Sequence, residues 1–156
     1  MACLICEQLA SNYSGPRYLI HDGRFWQLEH TATPTAVAGW LRLIIKRHVE
    51  ALHEIEPEEF AELSRLLAAT SKALYAELGC DKEYVMCFAE GEGTRHIHVH
   101  VVAKQGNLAP AARGANIFSL LNVPPERVVP AETIQSLVAK LKERMPAPVV
   151  RLLERG

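Results

Sequence analysis

The sequence predicts an α+β domain, a mostly antiparallel five-stranded sheet with one long helix and a second helix near the C-terminus. Two patterns carry that prediction. Five short runs rich in aliphatic, β-branched and aromatic residues are separated by turn signals, and the stretch from Pro57 to Leu78 places apolar residues at helical spacing. At 156 residues, with 49% hydrophobic and 22% charged residues, the chain suits a single domain over 1–156.

Residues 1–16 contain Cys3-Leu4-Ile5-Cys6 and then a Ser-Asn-Tyr-Ser-Gly-Pro turn cluster. Tyr18–His21 and Arg24–Glu29 flank Asp22-Gly23, the dipeptide of a tight hairpin. Thr31–Gly39 reads as loop, and Trp40–Ile45 as a third strand ending in Lys46-Arg47-His48. Pro57 at a first helical position and Glu58 and Glu59 in the first turn open the long helix. Phe60, Leu63, Leu66, Leu67, Leu74 and Leu78 form its expected apolar stripe, and Gly79 its stop. Tyr84–Phe88 is the fourth strand, Glu90–Gly93 a connection, and Arg95–Ala103 the fifth strand. From Gln105 to Pro130 the composition is that of a loop with a short turn at Ile117–Leu121, and helical spacing returns over Ala131–Met145. Residues 146–156 are expected to pair with a partner or fray.

A formal net charge of −1 argues against a nucleic-acid polymer as partner, while leaving a nucleotide open. Apolar runs fall short of the roughly 20 residues that span a bilayer, and the N-terminus lacks the basic start and long apolar centre of a signal peptide. The expected location is cytoplasmic, without membrane attachment. In a reducing compartment the four cysteines are thiols or metal ligands, and Cys3 and Cys6 form a C-x-x-C that needs further ligands to make a zinc site. Cys80 and Cys87 are read as buried thiols, and His21 and His30 as surface or loop groups.

The chemistry concentrates in Arg95-His96-Ile97-His98-Val99-His100-Val101-Val102-Ala103-Lys104. In an extended strand His96, His98 and His100 share one face, roughly 7 Å apart, and the apolar residues between them share the other. Such a row can ligate a metal ion, or carry out nucleophilic and acid–base work near neutral pH. Lys104 has the same parity and could reach an outer phosphate. Three readings stand at this level: an enzyme, a non-catalytic nucleotide-binding or interaction module, and a metalloprotein using the histidine row as ligands.

His96-Ile97-His98-Val99-His100-Val101-Val102 resembles the signature of the histidine-triad (HIT) superfamily of nucleotide hydrolases and transferases, three histidines alternating with apolar residues. Leu43–Glu50 is similar to that family's V-I-P-K-R-H strand end, and Cys3–Cys6 to the N-terminal C-x-x-C of its zinc-containing members. The resemblance covers residues 3–104, leaving 105–156 as a C-terminal extension. It implies a HIT-like fold, usually a homodimer, and reaction at an α-phosphorus of a dinucleoside polyphosphate or nucleoside phosphoramidate. By the same resemblance His98 is the nucleophile and His100 a phosphate contact. Backbone groups near Gly93 and Thr94 would add to the phosphate site. His96 joins Cys3, Cys6 and His48 as ligands of a structural zinc. The chain departs from the family pattern at Trp40, Ile45, Ala89 and Glu92, and in lacking an acidic residue at the start of the Thr31–Gly39 loop.

Overall fold

A computed structural model describes residues 2–10, 12–15 and 17–147; the expectation for 146–156 therefore lies largely outside the described residues. The strands are β1 (Tyr18–Asp22), β2 (Trp26–His30), β3 (Trp40–Ile45), β4 (Lys82–Met86) and β5 (His98–Lys104), and the helices α1 (Leu4–Leu9), α2 (Pro57–Leu78) and α3 (Ala131–Arg144). The strands form one antiparallel sheet in the order β1-β2-β3-β5-β4. The predicted α+β class and five strands are thus observed. Among the described residues no helix is long and apolar enough to cross a membrane.

The register divides the sheet into two faces with different jobs. Trp26, Leu28, Leu41, Leu43, Ile45, Val99 and Val101 pack against Leu63, Leu66 and Leu74 of α2 and Leu137 and Leu141 of α3 in the main core. On the opposite face Trp40 and Val102 join Ile117 in a second, smaller core. That face also carries a cross-strand row in which Glu29 pairs with Arg42, Arg42 with His100, and His100 with Met86. Directly opposed residues on neighbouring strands share a face, so β2, β3 and β5 bring charged groups and an imidazole together.

Helix α2 begins at Pro57 and ends at Gly79, whose φ of 57° is the left-handed conformation that a Gly accepts without cost. Its start is fixed by Glu59, whose carboxylate accepts from the Glu56 backbone N–H at 2.9 Å. The same carboxylate takes two hydrogen bonds from Arg47, at 2.7 and 2.8 Å, tying the helix to the end of β3. Arg47 holds the Glu59 carboxyl below the usual carboxylate range. Glu59, not Phe60, is the buried residue of this first turn; Phe60 points to solvent, so the apolar stripe begins one turn later than its spacing predicts.

Further differences separate structure from prediction: β4 runs two residues earlier than Tyr84–Phe88, and the hairpin connection is residues 23–25, with Asp22 inside β1. β5 starts at His98, so His96 lies in a bend before the strand and not on it. Residues 4–9 form a short helix where turn and C-x-x-C were expected. The 105–130 stretch contains three 3₁₀ segments, the longest over Gly114–Leu120. His30 is fully buried, its ring nitrogens 2.9 and 2.6 Å from the Thr31 and Ala38 carbonyls, bracing the 31–38 loop from within.

Replacing Glu59 with Ala removes both the helix start and the Arg47 pair, and is expected to lower the unfolding free energy by about 2 kcal/mol. Phe60→Ala on the same turn should change it by less than about 0.5 kcal/mol, as expected of an exposed site. Urea denaturation of both variants checks the two values together.

Candidate functional site

The histidines of the 96–100 stretch are each oriented by a different neighbour. His96 places Nε2 2.7 Å from the Ile45 carbonyl, so that nitrogen carries the proton and Nδ1 keeps its lone pair. That lone pair faces Cys3 Sγ at 3.6 Å and Cys6 Sγ at 3.4 Å. His98 places Nδ1 2.7 Å from the His96 carbonyl, which fixes the proton there and leaves Nε2 unprotonated. His100 accepts at Nδ1 from the Trp40 indole N–H at 3.0 Å. The His98 and His100 rings lie edge to face with centroids 4.9 Å apart, while His96 turns away toward the thiols. The expected row of three is therefore a pair plus one.

Burial is the first cause of the low basicity of this group. It pushes His98 down against the hydrogen bond to the His96 carbonyl, with the charges of Arg42 and His96 adding to the lowering. Burial, His98 and Arg42 together push His100 down to about 3. Both rings are accordingly neutral near pH 7, the state in which an imidazole nitrogen can attack. Arg42 lies beside His100 in the β3–β5 register and is held by Glu29 at 2.5 Å and Gln8 at 3.3 Å. It supplies a positive charge to the imidazole pair, and sequence reading missed it. Its parity with Trp40 and Ile44 on β3 was the available signal, since those positions oppose Val102 and His98.

Cys3, Cys6, His48 and His96 come together as the resemblance implied, with their ligand atoms all within 4.8 Å of one another. Helix α1 does the positioning. Its N-terminal Leu4 N–H donates to the Gly93 carbonyl at 2.9 Å, and Cys3 and Cys6 follow one another on the same helical face. Gly93 has φ 71°, a conformation that favours glycine, and a Cβ there would stand 3.2 Å from the Leu4 side chain. His48 Nδ1 lies 3.4 Å from Cys6 Sγ, and its Nε2 is 3.4 Å from a Glu50 carboxylate oxygen.

The donor set fits a tetrahedral zinc ion, whose N and S ligands lie roughly 3.3–3.8 Å apart given the usual bond lengths. A carboxylate behind one imidazole and a carbonyl behind the other orient both rings for metal ligation. Burial, with Cys3 adding to it, pushes the Cys6 thiol up. Among the described residues this cluster excludes His98 and His100, which does not favour the reading of the histidine row itself as a metal site.

Other expected contacts lie elsewhere. Thr94 closes its backbone N–H on the Gly91 carbonyl at 3.0 Å, and the Gly93 carbonyl is engaged by α1. Lys104 is four residues beyond His100, roughly 13 Å along the strand, and its Nζ pairs with Asp81 at 2.5 Å. The structure therefore does not bring Lys104 to the imidazole pair. Phe118, in the segment read as a short turn, covers His100 with centroids 5.1 Å apart and touches Trp40 and Phe88 at 5.3 and 5.5 Å. Only the apolar character of Ile117–Leu121 hinted at that wall.

The HIT domain family matches residues 29–107. Curated proteins include no match to this chain. Among solved structures, a HIT-like protein involved in cell-cycle regulation from Bartonella henselae is similar, with 14% identity, 91% of this chain and 95% of that one covered, and a TM-score of 0.67. A zinc-bound histidine triad family protein from Mycobacterium smegmatis has 20% identity, coverages of 92% and 95%, and a TM-score of 0.64. A hypothetical histidine triad nucleotide-binding protein from Sulfolobus tokodaii has 18% identity, coverages of 91% and 91%, and a TM-score of 0.65.

The His100 environment has a measurable consequence for stability. The unfolded chain takes up a proton at this histidine near 6.5, whereas the folded ring resists until about 3, so stability is lost as pH falls through that window. His100→Gln should flatten the fall in stability between pH 6.5 and 4 by up to about 1.4 kcal/mol per pH unit. Chemical denaturation at stepped pH measures the difference between the two slopes.

Proposed function

The chain belongs to the HIT domain family, and from that membership we propose that it is a nucleotide hydrolase or nucleotidyl transferase. It works at an α-phosphorus through a covalent nucleotidyl-His98 intermediate. The observation that carries this reading is the hydrogen bond from His98 Nδ1 to the His96 carbonyl, which leaves Nε2 unprotonated beside the His100 ring.

In the first step the Nε2 lone pair forms a bond to phosphorus while the bond from phosphorus to the leaving group breaks. The leaving group departs as an anion with the bonding electrons. His98 then carries a positive charge, which strengthens its Nδ1–H hydrogen bond to the carbonyl behind it. In the second step an acceptor oxygen, from water or another nucleophile, bonds to phosphorus and the P–N bond returns its electrons to Nε2. The acceptor's proton passes to solvent. His100 contacts the phosphate oxygens throughout, and Arg42 adds positive charge nearby. Phosphate contacts at Thr94 and Lys104 would require these groups to leave Gly91 and Asp81. A dinucleoside polyphosphate or a nucleoside phosphoramidate fits this chemistry, since each joins a nucleotidyl phosphorus to a leaving group.

We assign a structural zinc ion to Cys3, Cys6, His48 and His96 on the fit of their spacing. Its chemistry there would be to hold thiolates and imidazoles in place.

Acid-quenched intact-mass spectrometry after brief mixing with a diadenosine polyphosphate should reveal an adenylyl adduct on the wild-type chain. His98→Ala should lack it while keeping the same circular dichroism and melting curve. An adduct that persists in that variant would falsify the assignment of the nucleophile. For the metal, native mass spectrometry should find one zinc ion per chain, and Cys6→Ser should lower zinc retention at least tenfold.

A further inference from the structure

Trp40 is the first residue of β3, fully buried, and packed with Val102 and Ile117. Its indole N–H is a donor that can never accept, and a donor buried at this depth needs a partner. That partner is His100 Nδ1 at 3.0 Å, with the two rings edge to face at 86°. Because the indole can only donate, Nδ1 must hold a lone pair, and the single proton of the neutral ring must sit on Nε2. Rotating the ring by half a turn would present a carbon to the indole N–H and leave that buried donor unsatisfied. Phe118 closes a further side of the ring at 5.1 Å.

We infer that Trp40 is a positioning residue, one that holds His100 in the Nε2–H tautomer so that the ring donates a hydrogen bond to phosphate. The inference rests on the phosphate-contact role proposed above for His100. The opposite tautomer would turn a lone pair toward an anionic oxygen and repel it. Trp40 thereby acts on phosphate without touching it, through the choice of which imidazole nitrogen bears the proton. Arg42 and His98 are the charged and titratable groups beside this ring, and neither is placed to donate to Nδ1.

The test uses the full-length, zinc-loaded, ¹⁵N-labelled protein. Side-chain spectra should give His100 a protonated Nε2 and an unprotonated Nδ1, and a ¹⁵N–¹⁵N coupling should cross the hydrogen bond from the Trp40 indole. His100→Gln assigns the resonances. Trp40→Phe should abolish the coupling and bring the other tautomer into the His100 signals. With a diadenosine polyphosphate that variant should lose about tenfold in kcat with KM changed less than about twofold, part of the 10²–10³ that such a donor contributes. A proton on Nδ1 in the wild type, or a Trp40→Phe variant with unaltered His100 signals, overturns the inference even when adduct formation stands. The wild-type spectrum decides the matter if the variant does not fold. A wild type with the coupling in place but no adduct would instead overturn the nucleotide reading and leave the tautomer assignment intact.

Discussion

The antiparallel register of β3 against β5 sets Ile44 opposite His98, Arg42 opposite His100 and Trp40 opposite Val102, and the chemistry of the site depends on that alignment. A slip of β5 by one residue would turn His98, His100 and Val102 toward α2 and α3 and bring Val99 and Val101 into the polar row. The register is secured by the other face, where Leu41, Leu43, Val99 and Val101 are buried in the main core. Apolar burial on one side of the sheet thus determines which polar groups meet on the other. Two-residue alternation in the sequence serves both ends at once: the apolar positions hold the strand in place, and the imidazoles between them inherit that rigidity.

Ring orientation comes from a second set of contacts, largely to the backbone. The Ile45 carbonyl fixes His96, the His96 carbonyl fixes His98, and an indole fixes His100. Backbone carbonyls are dependable acceptors here because the sheet already holds them. Burial complements this arrangement by lowering the basicity of all three rings. Neutral rings with assigned tautomers present defined donors and lone pairs, which an exposed histidine on a flexible loop would not. The price is a half-buried Arg42 guanidinium close by, offset by the Glu29 carboxylate across the strand.

Much of this was legible in the residues. Asp22-Gly23 marked the hairpin, Pro57 and Gly79 the ends of the long helix, and the alternation after Arg95 the strand that carries His98 and His100. What escaped depends on partners distant in sequence. Helix α1 has six residues and no apolar stripe, and it is held by the Gly93 carbonyl, more than eighty positions away. Phe60 fits helical spacing yet faces solvent, while its neighbour Glu59 is buried and paired with Arg47. The Trp40 and Phe118 contacts with His100 join β3, β5 and a 3₁₀ segment, and composition gives no sign of that meeting. Lys104 shared the parity of the histidines, but parity says nothing about distance along the strand or about Asp81.

His96 is where the two halves of the site meet, and it does so by serving three partners with three different atoms. Nδ1 faces the thiols, Nε2 donates to Ile45, and the main-chain carbonyl accepts from His98. The bend that removes His96 from β5 is what allows this, since a residue within the ladder would direct its carbonyl to a neighbouring strand. Groups that fix the His96 ring therefore also fix the acceptor behind His98, through a few bonds of one residue. A change at His96 would disturb the thiol cluster, the β3 terminus and the nucleophile together. Changes at Cys6 or at His98 separate the two centres, because each of those side chains belongs to one of them alone.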